Sequence, residues 1–481
     1  MTLLQLILYI GIAAILLTVA VGVVYKEHKS WVMTFLQNFC GVLFIFSGWV
    51  KAVDPLGTAY KMEQYFAEFT TTFEGTYMSF IAPLFPVLSD FSLTFSIIMI
   101  VLEIVLGVML LMGMKSKLTS WAFLVIVGFF TFLTGFTFLT GYVPQGENFF
   151  NFGKWEGFVK SNMRVTDCGC FGDFLKLDPR TSFLKDVFLM IPAIFFVWRH
   201  RDMHELFDTK MQNYIAGGTL VAILALCLYS SKLNLPIWDF RPFPHGVNVK
   251  EEKQAQIDKV ANAPIIFVYK NTETGETQQF DASNLPSEGW EYVDRIQEDV
   301  ETNKVYEYAI EGETVTETTY LYYDDGSGDE PIELTAEDTI DGGVEEGWTL
   351  VDSKVDRQVV KSEITETLLG DPNYSIMFVS HKMGYADKEA FATKLGMLAE
   401  AAKSKGLNVY AVVGVANPED IKAFQEAIQL DVPFYTADDI LLKTIVRSNP
   451  GILLWKDGVM IQKWHHRTVP NFEQMEAQFM Q

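Results

Sequence analysis

The sequence predicts an α-helical integral membrane bundle of about six transmembrane helices, followed by a β-rich segment and an α/β domain. Three observations predict it. The apolar residues, 49% of the chain, crowd into the first half in stretches of about 20 residues, enough to cross a bilayer. From 264 to about 368 the pattern alternates as strands do, with turn signals such as TETGE and DDGSGD. From 374 onward, strand-like and helix-like runs take turns.

The six spans are read near 2–24, 31–53, 89–113, 118–141, 182–198 and 212–230. The first lacks a basic leader and a small-residue cleavage site, so it is read as a retained span. Lys26 and Lys29 follow the first span, Lys115 and Lys117 the third, and Arg199, Arg201 and Lys210 the fifth. Basic short loops stay in the cytoplasm, which places the N-terminus, the loop at 142–181 and the whole C-terminal half outside it. Five cations in that long loop vote the other way, with less weight.

Within the spans, Gly41 and Gly48, and Gly128 and Gly135, recur at seven-residue spacing, as small residues do where helices pack closely. Glu103 sits inside IIMIVLEIVLGVML, where a carboxylate must be paired, protonated or facing water. Lys51 and Asp54, in SGWVKAVDPLG, stand at the end of the second span, where Pro55 fits a helix terminus. Two readings stay open. Lys51 snorkels and pairs with Asp54 or a lipid headgroup, or Glu103, Lys51 and Asp54 line a polar pocket for a quinone head or a proton.

The formal charge of −23 belongs to the second half. Residues 1–230 hold 15 cations against 16 carboxylates, and the remainder 22 against 44. That excludes nucleic acid and anionic lipid as partners of the soluble part. Partners expected instead are the bilayer itself and an exported client or envelope-complex subunits.

Cys168 and Cys170 stand one glycine apart in VTDCGCFGDFLKL, in a chain of four cysteines. Gly169 permits the sharp bend that a C-x-C disulfide needs, and a strained ring of this kind suits exchange more than permanence. The alternative is a structural clasp in an exported loop. A zinc site needs two further ligands; His28, His200 and His204 lie on the opposite side of the membrane and His245, His381, His465 and His466 belong to the remote soluble half, so no metal is expected. Cys40 and Cys227 read as small core residues.

GVLFIFSGWVKAVDPLG, the acidic third span and DCGCFGD together resemble the DoxX and MauE group of small membrane proteins. The resemblance covers about the first 230 residues. It implies quinone-linked or thiol-linked oxidation for DoxX-type proteins. For MauE-type proteins it implies an accessory role in methylamine utilisation beside a thioredoxin-like partner.

Domains are expected at 1–232 (membrane), 233–263 (extended linker), 264–368 (β-rich, periplasmic) and 369–481. The β-rich part carries an internal echo, SEGWEYVDRIQ at 287 and EEGWTLVDSKV at 345, each after a Tyr-rich strand and an acidic turn. The last part is similar to the thioredoxin fold, with RSNPGILLWKDG placing Pro450 where that fold has its cis-proline. It departs at the turn after its first strand, where Ser380, His381, Lys382 and Met383 replace Cys-x-x-Cys. The resemblance leaves a peptide groove beside Pro450, with His381 an exposed loop residue at its rim.

Two functions follow. In the first, Cys168 and Cys170 exchange disulfides with an exported thiol and pass electrons toward a quinone near Glu103, while the soluble half docks the client. In the second, the chain is a non-enzymatic accessory or scaffold subunit of a bacterial cell-envelope complex, which the missing Cys-x-x-Cys favours. A transporter is weaker, since no inverted repeat is visible.

Overall fold

A computed structural model describes residues 2–165, 169–272, 274–286, 288–297, 300, 302–324, 330–335, 344 and 348–480. The chain forms two compact units, Met1–Arg241 and Pro242–Gln481.

The first unit is the membrane bundle. Among the described residues, six helices are long and apolar enough to cross a bilayer: Leu3–Tyr25, Trp31–Val53, Ser92–Met112, Ser116–Thr140, Pro179–Asp202 and Thr209–Leu233. Labelled in chain order with the shorter helices between them, the α-helices are α1 (Leu3–Val19), α2 (Trp31–Val53), α3 (Pro55–Phe73), α4 (Leu84–Asp90), α5 (Ser92–Met112), α6 (Ser116–Thr140), α7 (Pro179–Arg199) and α8 (Thr209–Leu228).

Caps fix where the helices start. Thr2 and Gln5 make a reciprocal capping box on α1. Asp178 accepts from the backbone N–H groups of Arg180 and Thr181, ahead of Pro179 at the first turn of α7. Asp54 ends α2 and caps α3, its carboxylate accepting from Gly57 N–H at 3.2 Å.

Glycines set how closely α2 and α5 approach. A Cβ on Gly107 would lie 2.8 Å from the Gly41 carbonyl oxygen, and one on Gly48 2.5 Å from Ile104. Gly128 differs, having no atom within 4 Å of such a Cβ, so only part of the glycine pattern is packing. The basic short loops meet at one end of the bundle. Lys29 Nζ donates to the Arg201 carbonyl at 3.2 Å, and Leu206 N–H to the Met112 carbonyl at 2.8 Å. Gln37 holds that end from inside, bonding the Leu110 carbonyl and the His204 amide.

The second unit contradicts the expected extended linker. Residues 249–261 form helix α9 (Val249–Ala261), capped by Asn248. Phe243 just ahead of it is fully buried, and its carbonyl accepts from Lys463 Nζ at 2.7 Å. Phe243 and Val249, both fully buried, stand among prolines and charged neighbours that hide them.

The strands are β1 (Val247–Asn248), β2 (Ile265–Asn271), β3 (Thr277–Asp281), β4 (Trp290–Gln297), β5 (Glu311–Asp324), β6 (Ile332–Thr335), β7 (Thr349–Glu363), β8 (Tyr374–Ser380), β9 (Asn408–Gly414), β10 (Phe434–Ala437), β11 (Gly451–Lys456) and β12 (Val459–His465). Among the described residues they make two sheets. One has three strands, ordered β3-β2-β4. The other has nine, ordered β1-β12-β11-β8-β9-β10-β5-β6, with β7 also paired to β5. β8, β9 and β10 run parallel, while β11 lies antiparallel to β8.

Alternate residues of the central strands face opposite layers. Ile376, Phe378, Val409, Val413, Ile452 and Leu454 pack with Phe391, Phe424, Ile428, Phe472 and Met475 from the helices between and after the strands. On the other face, Trp455 meets Tyr308, whose ring also meets Phe243. The helices with buried apolar stripes include α12 (Pro418–Ile428), after α10 (Thr365–Leu369) and α11 (Gly396–Ser404), and α14 (Phe472–Phe479), after α13 (Asp439–Ile445).

Candidate functional site

The membrane bundle holds a charged pocket. Lys51, on the last turn of α2, turns inward, and its Nζ lies 2.5 Å from Glu103 Oε2 at mid-α5. Both side chains are buried, and the ammonium sits 4.9 Å from the centroid of Phe130. Lys51 thus pairs with Glu103, while Asp54 caps α3 and is not among the residues lining this pocket.

A second pair faces the same pocket. Lys185 contacts Asp186 on α7, and Asp186 accepts from Thr134 Oγ1 at 3.0 Å. Neither residue was flagged by sequence reasoning, because a Lys-Asp step soon after a helix start reads as ordinary solvated helix. The signal available was Asp186 lying one residue past Lys185 inside an otherwise apolar run. Lys61, Tyr65 and Ser47 complete the polar lining, and Phe44, Phe130, Phe171 and Leu189 the apolar one. The cavity is about 70 Å³. That has room for water but is about half of the ~150 Å³ that takes up benzene, so a quinone ring enters only if the pocket widens.

The loop before α7 folds back into this pocket. Gly169 has φ +61°, the left-handed turn that lets the chain re-enter. Ser47 Oγ donates to the Cys170 carbonyl at 2.9 Å, and Phe171 is fully buried beside Phe46.

This geometry overturns the expected C-x-C redox couple. Cys168 lies outside the described residues. Among those described there is no disulfide, and Cys40, Cys170 and Cys227 are free thiols. Burial pushes the Cys170 thiol above its ordinary pKa, opposite to what a reactive thiolate needs. Among the described residues, the expected thiol-disulfide oxidoreductase therefore has no catalytic cysteine pair. Cys40 and Cys227 are buried in the apolar core, as the sequence suggested. No group of three or more His, Cys, Asp or Glu among the described residues is placed to hold a metal ion.

In the second unit, the turn after β8 lines a cleft of about 560 Å³ with Lys382, Lys388, Lys443, Asp420 and Asp439. His381 belongs to this cleft and is half-buried, contrary to the exposed loop position expected of it. Burial, with Lys443 and Arg447 nearby, pushes its pKa down to about 3. Pro450 follows a cis peptide bond and is buried outside the cleft lining. Asn449 ties that segment to the β8 turn through Ser380 Oγ and the Lys382 carbonyl, both at 2.8 Å.

His465 is buried too, and burial with the adjacent His466 and Arg467 pushes its pKa to about 3. Below pH ~6.5 the unfolded chain takes up protons at His381 and His465 that the folded unit refuses, so stability falls on acidification from there toward pH 3. The loss is at most about 1.4 kcal/mol per pH unit for each histidine. Urea midpoints of the full chain between pH 7 and pH 5 should decline, and the His465→Gln variant should decline less steeply. A flat profile counts against this.

Comparison with known proteins bears on the two units separately. Residues 29–145 match the family model of methylamine utilisation protein MauE, and residues 264–301 match a domain of unknown function (DUF8463). No curated protein and no solved structure matches the chain. The N-terminal membrane unit is thus MauE/DoxX-like, and it precedes a separate β-rich unit.

Proposed function

We propose that the chain is a non-enzymatic accessory or scaffold subunit of a bacterial cell-envelope complex, anchored by the MauE/DoxX-like bundle and presenting the acidic unit to a partner. One observation carries the reading: the chemically promising groups of the membrane pocket are already spoken for. Lys51 and Lys185 are each paired with a carboxylate, and Cys170 is a half-buried free thiol shifted away from thiolate.

The meeting of the basic short loops at one end of the bundle supports an inner-membrane placement with the acidic unit in the periplasm. The order of parallel β8, β9 and β10 with antiparallel β11 and β12, and helices between, supports a thioredoxin-like architecture for residues 369–481. With Ser380 to Met383 in place of cysteines, that part serves docking.

The test is genetic, in the source cell. Replacing Cys168 and Cys170 together by Ser is expected to leave the envelope phenotype of the wild type, while deleting residues 242–481 is expected to match deletion of the whole chain. A double-serine strain that behaves as the full deletion overturns the proposal.

A further inference from the structure

The echo between residues 287–297 and 345–355 extends to the backbone. In the first β unit the central strand β2 pairs β3 on one side and β4 on the other; in the second, β5 pairs β6 and β7 in the same way. Register agrees as well. Phe267 pairs Phe280, and 54 residues further on Leu321 pairs Leu334. Trp290 opens the third strand of the first unit, and Trp348 stands one residue ahead of that of the second.

The irregularity is also shared. Opposite β2, the ladder passes from Asp294 to Tyr292 and skips Val293; opposite β5, it passes from Asp352 to Leu350 and skips Val351. The two skipped valines occupy the same place in the repeated motif, GWEYVD and GWTLVD. Two independent bulges falling on the same motif residue by chance is a poor account. In their described residues, β5, β6 and β7 repeat the pairing of β2, β3 and β4.

A bulge turns neighbouring side chains out of strict alternation. Here it leaves an adjacent apolar pair uncovered in each copy: Tyr292 and Val293 are 52% and 50% exposed, Leu350 and Val351 54% and 56%. In sequence, each of the two stretches is one-sided in charge. Residues 264–301 hold two cations against nine carboxylates, and residues 318–355 one against eleven. Like charge opposes a second copy of this chain on that surface, and equally nucleic acid or anionic lipid.

Resting on the scaffold reading above, we propose that the two copies are equivalent docking surfaces for a cationic polypeptide, each gripping one basic segment through its bulge pair. Steering by the acidic field brings the segment in, and the apolar pair supplies contact that does not depend on salt.

The test uses the full chain in detergent and, as probe, a 12-residue peptide of alternating Lys and Val. The expected result is two peptides per chain, with binding about tenfold weaker at ~0.5 M than at ~0.05 M salt. Val293→Lys and Val351→Lys, at exposed positions that leave folding intact, should each reduce the stoichiometry to one, and the double variant should abolish binding. A wild-type stoichiometry of one or zero, or variants that bind as wild type, overturns the proposal. If the peptide fails to bind while deletion of residues 242–481 still matches the full deletion in cells, the scaffold reading stands and this surface falls.

Discussion

Glu103→Gln is expected to destabilise the bundle by about 3–5 kcal/mol, because it leaves the buried Lys51 ammonium without a countercharge. The loss is not the worth of the pair. It is the cost of an orphaned cation in a low-dielectric interior, and the Phe130 ring is too weak a partner to offset it. Replacing both residues, Lys51→Met with Glu103→Leu, should therefore recover most of the loss or exceed the wild type. Thermal unfolding in detergent separates the cases. A single variant that melts with the wild type would mean that Lys51 finds another carboxylate or water.

Gly107→Val is expected to cost about 1–3 kcal/mol or more through overpacking, because its Cβ would fall 2.8 Å from the Gly41 carbonyl oxygen and the same distance from Ile45. Both of the nearest elements are backbone or tightly seated, so the clash is relieved only by moving α2 away from α5. That displacement would also pull Lys51 from Glu103, which sit on the same two helices. Gly128→Val supplies the control, since its Cβ meets nothing within 4 Å and the variant should melt as the wild type does. Equal effects at the two positions would show that helix propensity rather than contact is responsible.

The spans were legible because twenty-residue apolar runs have few other uses. The strand and helix order after residue 374 was legible for a similar reason: Phe424 with Ile428, and Phe472 with Met475, mark one buried face each. What escaped was helical structure of mixed polarity. α3 carries Lys61, Glu63 and Glu68 and falls between the apolar spans, and α9 has only Val249 and Gln256 buried on a charged helix.

The candidate site was half legible. Glu103 announces itself by standing alone among apolar residues, and Lys51 follows as the nearest cation. Lys185 and Asp186 do not, since adjacency in sequence disguises a buried pair as a polar helix end. The thiol motif misled because a bend that can close a disulfide also serves to tuck a loop inward, and Gly169 does the second. His381 misled likewise, as a turn residue whose burial depends on Lys443 and Asp439 arriving from a distant segment.

The two copies differ in how they are fastened. β5 joins the nine-stranded sheet at Glu311 opposite Thr436 and runs on unbroken to Asp324, whereas β2, β3 and β4 share no strand with that sheet. A pull on the second copy is therefore carried along one continuous strand into that sheet, a path that the first copy lacks among the described residues.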